Sequence, residues 1–281
     1  SRSSAALDVA TRNLAKHLRA HPEQPLDEVA FTLMAGRKAF EVRRSLVASD
    51  AVAAAASLET ADPQRVFTGK AVRESISTAF LFPGGGAQYA GMGAELYEKE
   101  PVYRDAVDAC LSVVQPRLKV DLRRLMFPPP DEVARADKQL EAPSLALPAL
   151  FAVEYALAML LQSWGLLPAA LIGHSAGEYA AACISGVFSM PDAISLVALR
   201  GMLFEKLPRG AMLSIALPEE QVRPLLGSEL SLAAVNGPSL CVASGPVDAI
   251  ARLESKLAAE EIEHTRVHID VAAHSSMLEP I

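Results

Sequence analysis

Apolar residues recur at helical spacing at Leu7, Ala10, Leu14 and Leu18, and the stretch stops at Pro22 and Pro25. Leu26, Val29, Ala30 and Leu33 mark a second helix. Ala39 to Ala48 predicts a strand, Asp50 the cap of an alanine-rich helix through Leu58, and the polar run from Asp62-Pro63 to Ser77 a connector. Residues 1 to about 75 therefore read as a small α/β unit. A short apolar run, Thr78 to Phe82, then enters Pro83-Gly84-Gly85-Gly86-Ala87-Gln88. Helical patterns fill Val102 to Val114 and Leu145 to Trp164, with Pro128-Pro129-Pro130 between them. The apolar Ala170-Leu171-Ile172 passes through Gly173-His174-Ser175-Ala176-Gly177 into helix formers, so it reads as strand, tight turn, helix.

This alternation predicts a parallel sheet covered on both faces, with ligands at the C-terminal ends of its strands. From Met212 the pattern changes to strand Met212–Leu217, helix Glu219–Leu226, strand Leu232–Val235, strand Leu240–Ala243, helix Val247–Glu260 and strand His264–Ile269. That β-α-β-β-α-β order is ferredoxin-like, and it predicts a compact lobe over residues 210–269 inserted in the larger domain.

The chemistry gathers where the parallel strands end. A Gly-x-Ser-x-Gly turn exposes its serine and aims the N–H groups of the next helix at any anion forming there, which makes Ser175 a candidate nucleophile. The same spacing also arises in ordinary turns, but here the small residues Ala180, Ala181 and Ala182 let the helix lie close to the sheet. The triple-glycine loop could serve an oxyanion, a phosphate or a plain turn. It lacks the Gly-Lys-Ser/Thr ending of a nucleotide-binding loop, which argues against ATP. Six histidines compete as the base. His17 and His21 fall on helix surfaces, His264 and His268 alternate along a strand, and His174 adjoins the serine and would fix the elbow. His274, in a turn of small residues after the lobe, is the one placed to reach back to Ser175.

Composition narrows the classes. With 281 residues, 51% of them hydrophobic, the chain can bury a large core, and a net charge of −7 without a Lys/Arg run leaves no footprint for nucleic acid. Cys110, Cys183 and Cys241 are widely spaced and show no zinc pattern, so free buried thiols in a reducing cytoplasm are expected. Leu145 to Trp164 is apolar enough to suggest a membrane span, but Pro148, Glu154 and Gln162 interrupt it and it reads as a core helix. The start of the sequence carries no export pattern. The expectation is a cytoplasmic protein with no membrane and no nucleic-acid partner.

Six motifs in order are Phe82-Pro83-Gly84-Gly85-Gly86-Ala87-Gln88, Gly173-His174-Ser175-Ala176-Gly177-Glu178, Leu199-Arg200-Gly201, Gly210-Ala211-Met212-Leu213, Ala234-Val235-Asn236-Gly237-Pro238 and Ala273-His274-Ser275. Together the chain resembles the malonyl-type acyltransferase domains of modular polyketide synthases, over essentially its whole length. The resemblance implies an α/β fold: an α/β-hydrolase-like large subdomain with a parallel sheet (76–209, resuming at 270–281), the inserted ferredoxin-like lobe (210–269), and an N-terminal α/β linker subdomain (1–75) that joins ketosynthase to acyltransferase. Family members continue well past the catalytic histidine. The resemblance therefore places the C-terminal part of the large subdomain, which orients that histidine, beyond Ile281.

Carried onto matching positions, the resemblance makes Ser175 the nucleophile, His274 its base and Arg200 the clamp for a free carboxylate. Gly85 and Ala176 would supply oxyanion-hole N–H groups, and Gln88, His174, Asn236, Val271 and Ala273 would belong to the substrate site. The family usually has Gly-Gln-Gly where this chain has Gly84-Gly85-Gly86, so a side chain is missing while the backbone donor remains. The implied reaction moves an acyl group from malonyl-CoA or methylmalonyl-CoA, through a serine ester, to the phosphopantetheine thiol of an acyl carrier protein. It needs no metal or bound cofactor, and its partners would be that carrier protein and the adjacent ketosynthase. The extender-unit signature stays open: Val271-Ala272-Ala273-His274 matches neither His-Ala-Phe-His (malonyl) nor Tyr-Ala-Ser-His (methylmalonyl), while Ala176 is not the glutamine that often accompanies methylmalonyl. The balance leans to malonyl. A serine thioesterase or editing hydrolase, and a non-catalytic scaffold, are the competing readings; a carboxylate clamp at Arg200 argues against the first, and an intact Ser175, Arg200 and His274 against the second.

Overall fold

The computed structural model describes residues 1–71, 76–267 and 269–281. The chain divides into two compact units, Ser1–Ile76 and Ser77–Ile281.

The first unit contains helices α1 (Ser4–Ala20), α2 (Leu26–Ala35) and α3 (Ala51–Thr60) and strands β1 (Val42–Leu46) and β2 (Val66–Lys70). Ser3 caps α1 by accepting the Ala6 N–H, and Asp50 caps α3 by accepting the Ala53 N–H. Ala15 and Leu18 of α1 pack with Ala51, Ala54, Ala55 and Leu58 of α3, so small residues let the two helices come close. The connector predicted after Asp62 is in part a strand: β2 pairs antiparallel with β1, Val42 opposite Lys70. Pairing that joins residues about 25 apart leaves no local periodicity in a run as polar as this one.

The second unit begins with β3 (Thr78–Phe82), followed by α4 (Ala94–Lys99), α5 (Pro101–Val114), α6 (Leu122–Met126), α7 (Val133–Gln139), α8 (Pro143–Ser163), β4 (Pro168–Gly173), α9 (Gly177–Ile184) and α10 (Met190–Phe204). Strands β3 and β4 are parallel, with Phe82 opposite Gly173, so the glycine loop and the serine turn leave the sheet side by side. Helix α8 runs unbroken through Pro148 and is the core element, in contact with α5, α9 and α10. By length and composition α8 could cross a membrane, but most of it is buried inside this unit. Within this chain Leu81 of β3 is 71% exposed and Ile172 of β4 56%.

The lobe contains β5 (Gly210–Ile215), α11 (Glu219–Leu226), β6 (Ser231–Gly237), β7 (Leu240–Pro246), α12 (Val247–Ala259) and β8 (His264–Arg266). Its sheet order is β6-β7-β5-β8, antiparallel throughout, which is the ferredoxin-like arrangement. Alternation divides its faces: Leu213, Ile215, Cys241 and Ala243 join the lobe's own core, whereas Met212 and Val242 face the main core. The last strand is shorter than the predicted His264–Ile269. His268 lies outside the described residues, and Ile269, Val271 and Ala273 already pack in the main core. All three cysteines are buried and free.

Glu154 of α8 is a charge-capable group inside this core, and its Oε1 has no hydrogen-bond partner among the described residues. Burial pushes its carboxyl up to about 8, so it is neutral in the folded protein at pH 7. In the unfolded chain it ionises near the usual value of about 4.3, so stability should fall as pH rises from there toward 8. Glu154→Gln keeps the shape and removes the titration. Its gain in Tm over the parent should be larger at pH 8 than at pH 5, and parallel Tm–pH curves for the two proteins would contradict the assignment.

Candidate active site

The elbow between β4 and α9 is held by close backbone approach. A Cβ at Gly177 would lie 2.3 Å from the Phe82 carbonyl oxygen and 2.5 Å from that of Pro83; one at Gly173 would lie 2.2 Å from the Glu178 nitrogen. Both glycines are therefore demanded by packing, and their spacing around Ser175 follows. Ser175 itself adopts φ 51°, a left-handed backbone that a side chain tolerates only under constraint. The constraint is visible: the His174 N–H donates to the Phe82 carbonyl at 2.8 Å, and the Gly177 N–H to the His174 carbonyl at 3.0 Å.

Ser175 Oγ lies 2.6 Å from His274 Nε2, hydrogen-bond distance across 99 residues of chain. His274 also has a left-handed backbone, φ 58°, in a turn that Ser275 closes by donating to the Ala272 carbonyl at 2.7 Å. Burial, then the charges of Arg200 and His174, hold the His274 imidazole below its usual value, so it is neutral and able to take a proton at pH 7. The N–H groups of Gly85 and Ala176 make no hydrogen bond among the described residues. They remain available to an oxyanion beside Ser175.

Ser175 and His274 open into a cavity of about 390 Å³, which Gly85, His174, Ala176 and Arg200 also line. Asn236 and Ala273 line it too; Asn236 Oδ1 lies 2.9 Å from His174 Nε2 and so ties the elbow to the lobe. The far wall is apolar, from Leu147, Met212, Val267 and Ile269. Arg200, on α10, has its guanidinium 5.1 Å from the Phe204 ring and 5.6 Å from the Tyr179 ring, with Nη1 donating to the Tyr179 hydroxyl at 3.4 Å. No carboxylate pairs with it among the described residues. A cation stacked on aromatic faces and facing a cavity can accept an anionic ligand without first breaking an ion pair.

Two of the sequence-predicted residues do not line the cavity. Gln88 turns back to brace its own loop, its Oε1 accepting the Gly86 N–H at 2.8 Å and its Nε2 donating to the Leu140 carbonyl at 3.2 Å. Val271 is buried in the main core. Among the described residues, His17 pairs with Gln24, His21 lies 3.5 Å from Glu23, and His264 meets the Ile262 carbonyl. Tyr179 and Phe204 were not anticipated, yet a signal existed. Phe204 stands four residues after Arg200 on α10, one helical turn, and Tyr179 falls in the first turn of α9 just after the Ser175 elbow.

The model of the acyl transferase domain family matches residues 79–281, and that of the CurL-like polyketide synthase C-terminal region matches residues 1–58. The chain belongs to the acyl transferase domain family, in the branch found in polyketide synthases. It is 37% identical, over 99% of its length, to a phenolphthiocerol/phthiocerol polyketide synthase of Mycobacterium tuberculosis (strain ATCC 25618 / H37Rv), of which it spans 19%. Among solved structures, the acyl transferase domain of ZmaA is 40% identical with a TM-score of 0.82, covering 100% of this chain and 65% of that one. The acyl transferase domain of SpnD, solved in complex with 2-(pent-4-yn-1-yl)malonyl, is 41% identical with a TM-score of 0.84, covering 100% and 66%. The chain thus spans about a fifth of that curated synthase and about two thirds of these solved domains.

Since Arg200 is one of the charges that lower the His274 pKa, Arg200→Gln should raise it. Following the His274 ring-proton resonance against pH, the variant should titrate at higher pH than the parent; coincident titrations would remove Arg200 as a cause.

Proposed function

We propose that this acyltransferase domain loads a malonyl-type dicarboxylic acyl unit from coenzyme A onto the phosphopantetheine thiol of an acyl carrier protein, by way of an ester on Ser175. The observation that carries this reading is the Arg200 guanidinium, paired with no carboxylate among the described residues, in the same cavity as the Ser175–His274 pair. A guanidinium meets a carboxylate through two parallel hydrogen bonds, so it favours acyl groups that end in a free carboxylate over acetyl or fatty chains.

In the first half-reaction His274 Nε2 takes the Ser175 proton as Oγ attacks the thioester carbonyl carbon. The carbonyl oxygen gains negative charge toward the N–H groups of Gly85 and Ala176. Preorganised donors of this kind contribute about 10²–10³ in rate each. The tetrahedral intermediate collapses with cleavage of the C–S bond, and the imidazolium returns the proton to the departing thiolate. In the second half the carrier-protein thiol repeats these steps on the serine ester, and Ser175 is regenerated. A substrate carboxylate on Arg200 would cancel one of the charges that depress His274, so the base would strengthen when the correct acyl group is in place.

The partners on this reading are the acyl carrier protein and a ketosynthase in the same cytoplasmic synthase. The match of residues 1–58 to a polyketide synthase region supports the second. The acyl unit is malonyl or a malonyl branched at C2. A hydrolase would use the same serine and histidine; what separates the two is the fate of the ester.

Arg200→Ala leaves Ser175, His274 and the oxyanion donors in place. Loss of a charge-assisted bidentate pair, about 2–5 kcal/mol when desolvated, should cut acylation by malonyl-CoA at least about tenfold, with acetyl-CoA little affected. Intact-mass measurement of the acyl-enzyme gives both rates. An unchanged malonyl-to-acetyl ratio would take the clamp away from Arg200, and release of the acyl group to water as fast as to the carrier protein would favour the hydrolase. Ser175→Ala should carry no acyl mass at all.

A further inference from the structure

The backbone that carries Arg200 is fixed by packing. A Cβ at the next residue, Gly201, would lie 2.4 Å from the Pro143 carbonyl oxygen, so α10 is pressed against the start of α8. Glu205, at the end of α10, accepts the Ser144 N–H at 3.2 Å and the Ser144 O–H, which ties the same two helices and occupies that carboxylate. The guanidinium is a different matter. It stands at the far end of a long flexible stem, and helix packing does not set where it points. Two rings do: those of Phe204 and Tyr179, with centroids 5.1 Å and 5.6 Å from it, lie within the distance at which an aromatic face attracts a cation.

The two rings differ in what else they do. Phe204 is 6% exposed and lines the cavity itself, so replacing it would disturb core and cavity together. Tyr179 is half-buried on α9 and is not among the described residues that line the cavity. Its link to the cavity is Arg200. The Tyr179 hydroxyl accepts from Nη1 at 3.4 Å, a long bond that is weak beside the attraction of the ring face.

We propose that Tyr179 is a positioning residue for the anion-binding group: its ring holds the Arg200 guanidinium in place before substrate arrives, so that an acyl group ending in a carboxylate meets an ordered partner. This rests on the acyl-transfer reading of the site. A guanidinium that must be ordered during binding gives up part of the affinity it would otherwise supply, about two- to tenfold for one long side chain. The carboxylate does not itself react, and its pairing with Arg200 is made alike before and during attack on the thioester. The loss therefore falls on saturation by substrate rather than on the maximal acylation rate. An acetyl group has no such carboxylate and gains nothing from the ordering.

The test follows formation of the Ser175 ester in the full-length synthase chain, by mass of the Ser175 peptide after rapid quenching, over a range of malonyl-CoA or acetyl-CoA concentrations. It compares the parent, Tyr179→Leu, Tyr179→Phe, Arg200→Ala and the double variant of Tyr179→Leu with Arg200→Ala. Tyr179→Leu should raise the half-saturating malonyl-CoA concentration about two- to tenfold, with little change in the maximal rate or in acylation by acetyl-CoA. Tyr179→Phe keeps the ring and should stay close to the parent. In the Arg200→Ala background Tyr179→Leu should add nothing, because the residue it acts through is gone. An equal loss with acetyl-CoA, or a fall in the maximal rate alone, would mark a disturbed elbow and overturn the proposal. So would an effect of Tyr179→Leu that persists without Arg200, or a Tyr179→Phe protein as impaired as Tyr179→Leu. If Arg200→Ala itself leaves the malonyl-to-acetyl ratio unchanged, the carboxylate-binding reading fails too; if that ratio falls while Tyr179→Leu matches the parent, only the role of Tyr179 fails.

Discussion

The site depends on how closely the first turn of α9 approaches the end of β3. With less than van der Waals space for a Cβ at Gly177 against the Phe82 and Pro83 carbonyls, the helix start is pressed onto the neighbouring strand. That contact forces the chain between Gly173 and Gly177 through a tight turn and places Ser175 in a left-handed conformation at its apex. It also brings the glycine loop, which leaves the adjacent parallel strand, beside the serine. The Ser175 hydroxyl and the Gly85 and Ala176 N–H groups are thus positioned by backbone packing of two strands and a helix. Rigid elements hold such geometry more reliably than side-chain contacts alone.

The second requirement is electrostatic. The proposed reading needs a guanidinium and a proton-accepting histidine in one cavity without either being quenched. Arg200 lies over the Phe204 and Tyr179 rings, and no carboxylate pairs with it among the described residues. Burial first, and then its charge, lowers the His274 pKa. Arg200 and His274 are therefore coupled through the field in the cavity. On the acyl-transfer reading proposed above, a ligand carboxylate would act on both at once and give acyl selection and proton transfer a common physical origin.

The lobe contributes the opposite wall. Its sheet has one face in its own core and one turned to the main core, and the edge strand β6 brings Asn236 to His174. The lobe enters and leaves the larger subdomain at neighbouring points, so the turn after β8 carries His274 back to the elbow. This topology is how two residues 99 positions apart come within 2.6 Å.

Much of this was legible in the residues. Helical spacing, the caps at Ser3 and Asp50, the β-α-β-β-α-β order and the Gly-x-Ser-x-Gly turn are local signals, because each depends on neighbours a few positions away. The motifs around Ser175, Arg200 and His274 located residues that the structure gathers in one cavity. What the sequence could not decide was set by non-local packing. Strand β2 exists because β1 pairs with it, and Gln88 braces its own loop because Leu140 offers a carbonyl there. Val271 packs inward on the core side of the turn that presents His274. The three glycines look alike in the sequence, and only the surroundings distinguish them: His174 crowds Gly84, a left-handed backbone fixes Gly86, and two core side chains meet the open face of Gly85. A residue's type determines which contacts it can make, but tertiary packing determines which atoms are there to be met.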